Sequence, residues 1–120
     1  MSNLDVVRRY YECLFSSPMR PNDVRALISN SFKLIDPLGS ASSTEDYMKQ
    51  LDMLPENYEM NGEVRRIIAD EDVVAALLDF EGPTGPITYS SWFTVAGGKI
   101  TQIENVYDPR DFLASAPRGD

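Results

Sequence analysis

The 120-residue chain contains no histidine and only one cysteine, and its longest unbroken apolar run, residues 73–78, is six residues long. Without histidine, an imidazole general base, a Ser-His-Asp or Cys-His triad and a His-ligated zinc site are all excluded within one chain. Acid–base work would fall to carboxylates and tyrosines. The lone Cys13 cannot form a disulfide within the chain. It lies on a helical apolar stripe, where a small buried hydrophobe is the expected role, and this fits a reducing cytoplasm. The apolar run is far shorter than the roughly 20 residues a membrane helix needs, and the start Met-Ser-Asn-Leu-Asp lacks the basic and apolar segments of a signal peptide. Positive charge is scarce as well: eleven Lys and Arg face nineteen Asp and Glu, a net charge of −8. That balance repels phosphate backbones and anionic lipid. The expectation is a soluble cytoplasmic protein that binds neither nucleic acid nor membrane.

What is present reads as one domain with a real core, at 42% hydrophobic content. Ser2 with Asp5 is a weak capping-box variant, followed by Leu4, Val7, Tyr11 and Leu14 at helical spacing, with Val6, Tyr10 and Cys13 beside them. After a proline-rich loop, Asn22 or Asp23 can cap a shorter helix running through Leu27 and Ile28, and a strand is expected over 32–35. Ser42-Ser43-Thr44 then caps a third helix over about 44–54, whose face carries Tyr47, Leu51 and Leu54. From Glu63 onward the period becomes two. Strands are predicted over 64–68, 73–80, 87–95 and 99–107, joined by short Asp- and Gly-rich turns that imply antiparallel neighbours. Three helices followed by a meander make an α+β domain with helices packed on one face of a curved sheet. The run Asp70-Glu71-Asp72 reads as a solvated turn; it lacks the spacing and glycine of a calcium loop.

One segment points to chemistry. In Phe32-Lys33-Leu34-Ile35-Asp36-Pro37-Leu38-Gly39 an apolar strand ends on a carboxylate that a proline turn holds. Asp36 is a candidate general base if it faces an apolar pocket; the other reading is an Asp-Pro turn with its side chain in solvent.

The element order, Asp36-Pro37-Leu38-Gly39 before the third helix, and Gly98-Lys99-Ile100-Thr101 leading to Tyr107-Asp108-Pro109-Arg110-Asp111-Phe112 together resemble the nuclear-transport-factor-2-like superfamily. The resemblance spans about residues 3–113 and leaves 114–120 as a tail expected to fray. It implies a cone-shaped, cystatin-like α+β fold with a curved antiparallel sheet and three helices from the N-terminal half on its concave face. The superfamily holds ketosteroid isomerases, SnoaL-type polyketide cyclases and limonene epoxide hydrolase.

By resemblance to the isomerases, Asp36 falls on the general base of an Asp-Pro-Phe-Gly motif. Arg9-Tyr10-Tyr11-Glu12 is similar to the segment whose tyrosine donates to the oxyanion, so Tyr10 is the counterpart and Tyr11 the alternative. The acidic third element of that site falls at Ser91. The same alignment turns Tyr89, Ser91 and Phe93 inward, with Thr101, Ile103, Asn105 and Tyr107 on the inner face of the last strand. Tyr11, Tyr89, Ser91, Asn105 and Tyr107 are therefore candidate ligand-binding residues, with a ligand-orienting role and a structural hydrogen bond both open for Asn105. The hydrolase relay is not matched: Asn105 stands where its last-strand aspartate would be, and residues 73–80 contain no arginine.

Two functions follow as expectations. One is a proton-transferring enzyme of the isomerase or cyclase kind, acting on a small hydrophobic carbonyl compound and requiring no metal or organic cofactor. The other is a non-catalytic binding or dimerisation module that keeps the fold. Trp92, Ile100 and Val106 are expected on the open sheet face, where they would form a homodimer interface. The alternative for Trp92 is cover by the segment around Phe112 and Leu113.

Overall fold

The computed structural model describes residues 1–54, 61–82 and 85–115. The elements are helix α1 (Asn3–Leu14), helix α2 (Pro21–Arg25), strand β1 (Ile28–Ile35), helix α3 (Thr44–Asp52), strands β2 (Gly62–Asp70), β3 (Val73–Gly82), β4 (Gly85–Ala96) and β5 (Lys99–Val106), and helix α4 (Arg110–Ser115).

The Ser2–Asp5 capping box closes in both directions. The Ser2 hydroxyl accepts from the Asp5 N–H at 3.1 Å, and the Asp5 carboxylate accepts from the Ser2 N–H at 3.3 Å. Helix α1 then buries Val6, Val7, Tyr10, Tyr11, Cys13 and Leu14. Ser43 caps α3 by accepting from the Asp46 N–H at 3.1 Å. The fully buried Thr44 ties that helix to β1, donating to the Ser29 carbonyl and accepting from the Phe32 N–H.

The five strands form one sheet in the order β1-β5-β4-β3-β2. The meander β2–β5 is antiparallel, as its short turns require; at the β4–β5 turn Gly97 and Gly98 take φ of 60° and 77°, which glycine adopts without strain. Strand β1 joins the edge parallel to β5. This is the curved-sheet α+β fold expected, with its helices over the inner face.

Several boundaries differ from the sequence reading. Helix α2 stops at Arg25 rather than running through Ile28, and starts at Pro21 with no side-chain cap. Leu27 and Ile28 are drawn into the sheet instead: the Leu27 carbonyl accepts from the Ile100 N–H at 2.9 Å and Ile28 pairs with Ile100. Strand β1 therefore begins four residues before the expected 32. Helix α3 ends at Asp52. Positions 114 and 115 belong to α4, and the rest of the expected frayed tail lies outside the described residues.

The inner face of the last strand also needs correction. Thr94 pairs with Gln102 but Val95 pairs with Ile100, so Thr101 is an extra residue in β5. Such a bulge shifts the alternation by one. Ile100 consequently turns inward and is fully buried, not on the open face with Trp92 and Val106. Trp92 is 49% exposed, while Phe112 packs inward against Phe80 and Tyr107 rather than over the tryptophan.

Candidate functional site

Between α1, α3 and one end of the sheet lies a cavity of about 290 Å³, lined by Tyr10, Asp36, Tyr47, Tyr89, Asn105 and Tyr107 together with apolar side chains from Leu14 to Phe112. Its volume is at the small end of the roughly 300–1,000 Å³ usual for ligand pockets, enough for a compact molecule.

Asp36 follows the last residue of β1, and both readings of its segment hold together. One carboxylate oxygen accepts from the Leu38 N–H at 2.9 Å, which closes an Asx-type turn, and the half-buried side chain still faces the cavity. The same oxygen accepts from the Tyr107 hydroxyl at 2.7 Å, while the other accepts from the Asn105 amide at 2.9 Å. Register explains the meeting. Ile35 pairs with Glu104, so the next residues, Asp36 and Asn105, fall side by side.

Asn105 is paired in turn with Ser91, whose hydroxyl donates to the amide oxygen at 2.6 Å. The amide orientation is dictated by Asp36, because its oxygen turned toward the carboxylate would set two acceptors against each other. Asn105 thus uses both ends of its side chain in holding the Asp36 carboxylate in place. Ser91, 2% exposed, stands behind the cavity wall and offers it no donor. Tyr11 lies behind the wall as well, stacked on Phe15 with ring centroids 5.4 Å apart. Its buried hydroxyl comes near Ser91 but completes no hydrogen bond, and burial pushes its pKa far above the usual tyrosine value.

Of the two adjacent tyrosines, Tyr10 is the one that reaches the cavity. Its hydroxyl and that of Tyr47 lie 2.6 Å apart, joining α1 to α3. Burial raises both: Tyr10 well above its ordinary value, Tyr47 to about 12. One hydroxyl must donate to the other, so the acceptor's proton remains available to a ligand. Tyr89 and Tyr107 are also pushed upward, first by burial and then through Asp36, by its charge at Tyr89 and by hydrogen bond and charge at Tyr107. Deprotonating a phenol beside a carboxylate would set two negative charges together.

The sequence pattern marks Tyr47 only as part of the apolar face of the third helix. Its hydroxyl within an otherwise aliphatic stripe, with Gln50 three residues on, is the signal that could have marked it. Among the described residues, no group of three or more His, Cys, Asp or Glu side chains is placed to hold a metal ion, and no helix is long and apolar enough to cross a membrane.

The comparisons with known proteins agree with this geometry at the level of fold. A protein of the nuclear-transport-factor-2-like type and unknown function from Cytophaga hutchinsonii ATCC 33406 superposes with a TM-score of 0.81 at 18% identity, over 94% of this chain and 96% of that one. A provisionally named SnoaL-like polyketide cyclase from Jannaschia sp. CCS1 gives 0.77 at 18% identity, over 97% and 93%. The protein TerC, crystallised with polyporic acid, gives 0.73 at 16% identity, over 93% and 95%. No curated protein matches. The profile of the SnoaL-like domain matches residues 7–103, and the chain belongs to that family, within the nuclear-transport-factor-2-like superfamily.

Proposed function

We propose that the protein binds a small hydrophobic carbonyl compound in this cavity and moves a proton on it without a cofactor, in the manner of an isomerase or cyclase. The observation that carries the reading is Asp36 at the wall of an otherwise largely apolar cavity, oriented by Tyr107, Asn105 and the Leu38 N–H. A carboxylate so placed can take a proton from the carbon next to a carbonyl. The electron pair moves onto the carbonyl oxygen, and the free proton of the Tyr10–Tyr47 pair steadies the enolate. The same carboxyl group then returns the proton to a second carbon. Ser91, committed to Asn105, takes no part in holding the oxyanion.

The test is a thermal-shift screen of steroid, polyketide and terpenoid ketones, followed by deuterium uptake from D2O next to the carbonyl of each ligand that binds. Uptake should be catalysed by the wild type and lost in Asp36→Asn. A ketone that binds equally well and exchanges equally fast with both proteins would remove Asp36 from the chemistry.

The second reading, a module without chemistry that assembles through its sheet, has its own observation. One cross-strand row on the outer face carries Ile35, Glu104, Trp92, Ala75 and Ile68, with Val106 in the neighbouring row. Ile35, Trp92, Ile68 and Val106 are 40%, 49%, 62% and 53% exposed. Apolar exposure of this kind favours a homodimer across the two outer faces. Sedimentation velocity should then show a dimer that Trp92→Glu converts to monomer.

A further inference from the structure

Among the described residues, Asp36 is the sole charged side chain lining the cavity, and no Lys or Arg reaches it. Its three hydrogen bonds come from an amide, a phenol and a backbone N–H, all neutral donors that stabilise the carboxylate but leave its charge uncancelled. Beside it the aromatic lining closes into a circuit. Phe80 meets Tyr89 at 6.2 Å, Tyr89 meets Tyr107 at 6.0 Å, Tyr107 meets Phe112 at 5.8 Å and Phe112 returns to Phe80 at 6.2 Å. Tyr107 belongs both to this ring circuit and to the base, so the carboxylate and the rings share one end of the cavity.

We propose that the ligand carries a positive charge, a tertiary or quaternary alkylammonium group seated between the Asp36 carboxylate and the rings of Phe80, Tyr89, Tyr107 and Phe112. Aromatic faces attract cations through their quadrupole, and most strongly where water is excluded, as in a partly enclosed cavity. An uncompensated carboxylate adds an attraction that a neutral ligand does not receive. An anionic ligand meets repulsion from Asp36 and finds no cation among the described wall residues to offset it. The net charge of −8 acts in the same direction at longer range.

This rests on the reading of the cavity as the ligand site and narrows the substrate within it. Where an ammonium and a carbonyl flank one carbon, both acidify its C–H bond. Asp36 takes that proton, the electron pair moves to the carbonyl oxygen, and the nitrogen keeps its charge throughout.

The experiment compares choline with 3,3-dimethyl-1-butanol, its neutral counterpart of nearly the same shape, by calorimetric titration of the wild type and of Asp36→Asn. Choline should bind the wild type at least about tenfold more tightly than the alcohol. In Asp36→Asn that preference should shrink severalfold while the alcohol's affinity stays within about twofold, which also shows that the cavity survives the substitution. Tyr89→Leu should weaken choline more than the alcohol. Equal or tighter binding of the alcohol by the wild type, no binding of either probe at 20 mM, or an unchanged preference in Asp36→Asn would overturn the proposal. Deuterium uptake on neutral ketones is scored separately: its success alongside any of those results retains the base and rejects only the charged ligand.

Discussion

The inner face of one sheet carries two different chemistries at its two ends. At the closed end the residues are Val74 and Ala76 on β3, Phe93 and Val95 on β4, and Ile100 and Ile103 on β5, all buried in one cluster with Val6 and Val7 of α1. Farther along the same strands stand Phe80, then Ile87 and Tyr89, then Asn105 and Tyr107, and here the helices leave a hollow. The central β3–β4 pairing runs unbroken from one end to the other. The difference lies in the side chains: aliphatic groups pack without a remainder, whereas hydroxyls, an amide and a carboxylate need partners that hold them at fixed distances, and these partners line open space.

Substitutions at the two ends should therefore fail in different ways. At the hollow end, Asp36→Asn should lower catalysed deuterium exchange by about two to four powers of ten, the usual contribution of a general base, with little change in urea unfolding. At the closed end the reverse holds. Phe93→Ala should cost about 3–5 kcal/mol in urea unfolding, because a fully buried ring leaves a cavity behind. If Phe93→Ala cost no more than Tyr89→Ala, the contrast between the ends would collapse.

Asn105→Ala sits on the boundary. It removes the partner of Ser91 and one of the donors to Asp36, so a loss of about 1–3 kcal/mol in unfolding free energy is expected, together with slower exchange from a less firmly oriented carboxylate.

The buried tyrosines give a pH signature. Tyr47 ionises in the folded protein near 12, above the ordinary value of 10.0. Above about pH 10 the unfolded chain loses a proton that the native state keeps, so stability falls as pH rises, by about 1 kcal/mol per pH unit for each such tyrosine, and the contribution is complete below pH 10. Urea unfolding followed between pH 9 and 12 should show this decline, with a shallower slope in Tyr47→Phe. The smallest effect is expected at Tyr11, whose buried hydroxyl has no hydrogen-bond partner. Tyr11→Phe should leave unfolding free energy unchanged or raise it by up to about 1 kcal/mol.

The closed end was the more legible in the sequence. Period-two alternation located β3 and β4 within two residues, and the apolar stripe and capping box located α1, because these signals are local. What escaped was set by distant contacts. Leu27 and Ile28 continue a helical pattern, yet β5 recruits them into an edge strand; one extra residue at Thr101 sends Ile100 inward against simple alternation. At the hollow end Asp36 stood out from its own strand-and-turn segment, and Tyr10 by resemblance. The partnership of Tyr47 with Tyr10 did not, since thirty-seven positions separate two residues whose hydroxyls meet only after both helices have packed. Asn105 was recognised as a polar residue on the inner face, but only the parallel register of β1 on β5 shows that Asp36 is its partner.

We propose that the hollow beside Asp36 is where a ligand sits. Amide chemical-shift mapping during titration with the ketone giving the largest thermal shift tests it directly. The largest changes are expected at Asp36, Tyr47, Tyr89, Asn105 and Tyr107. Changes confined to Ile68, Trp92 and Glu104 on the outer face, with the cavity residues unmoved, would contradict it.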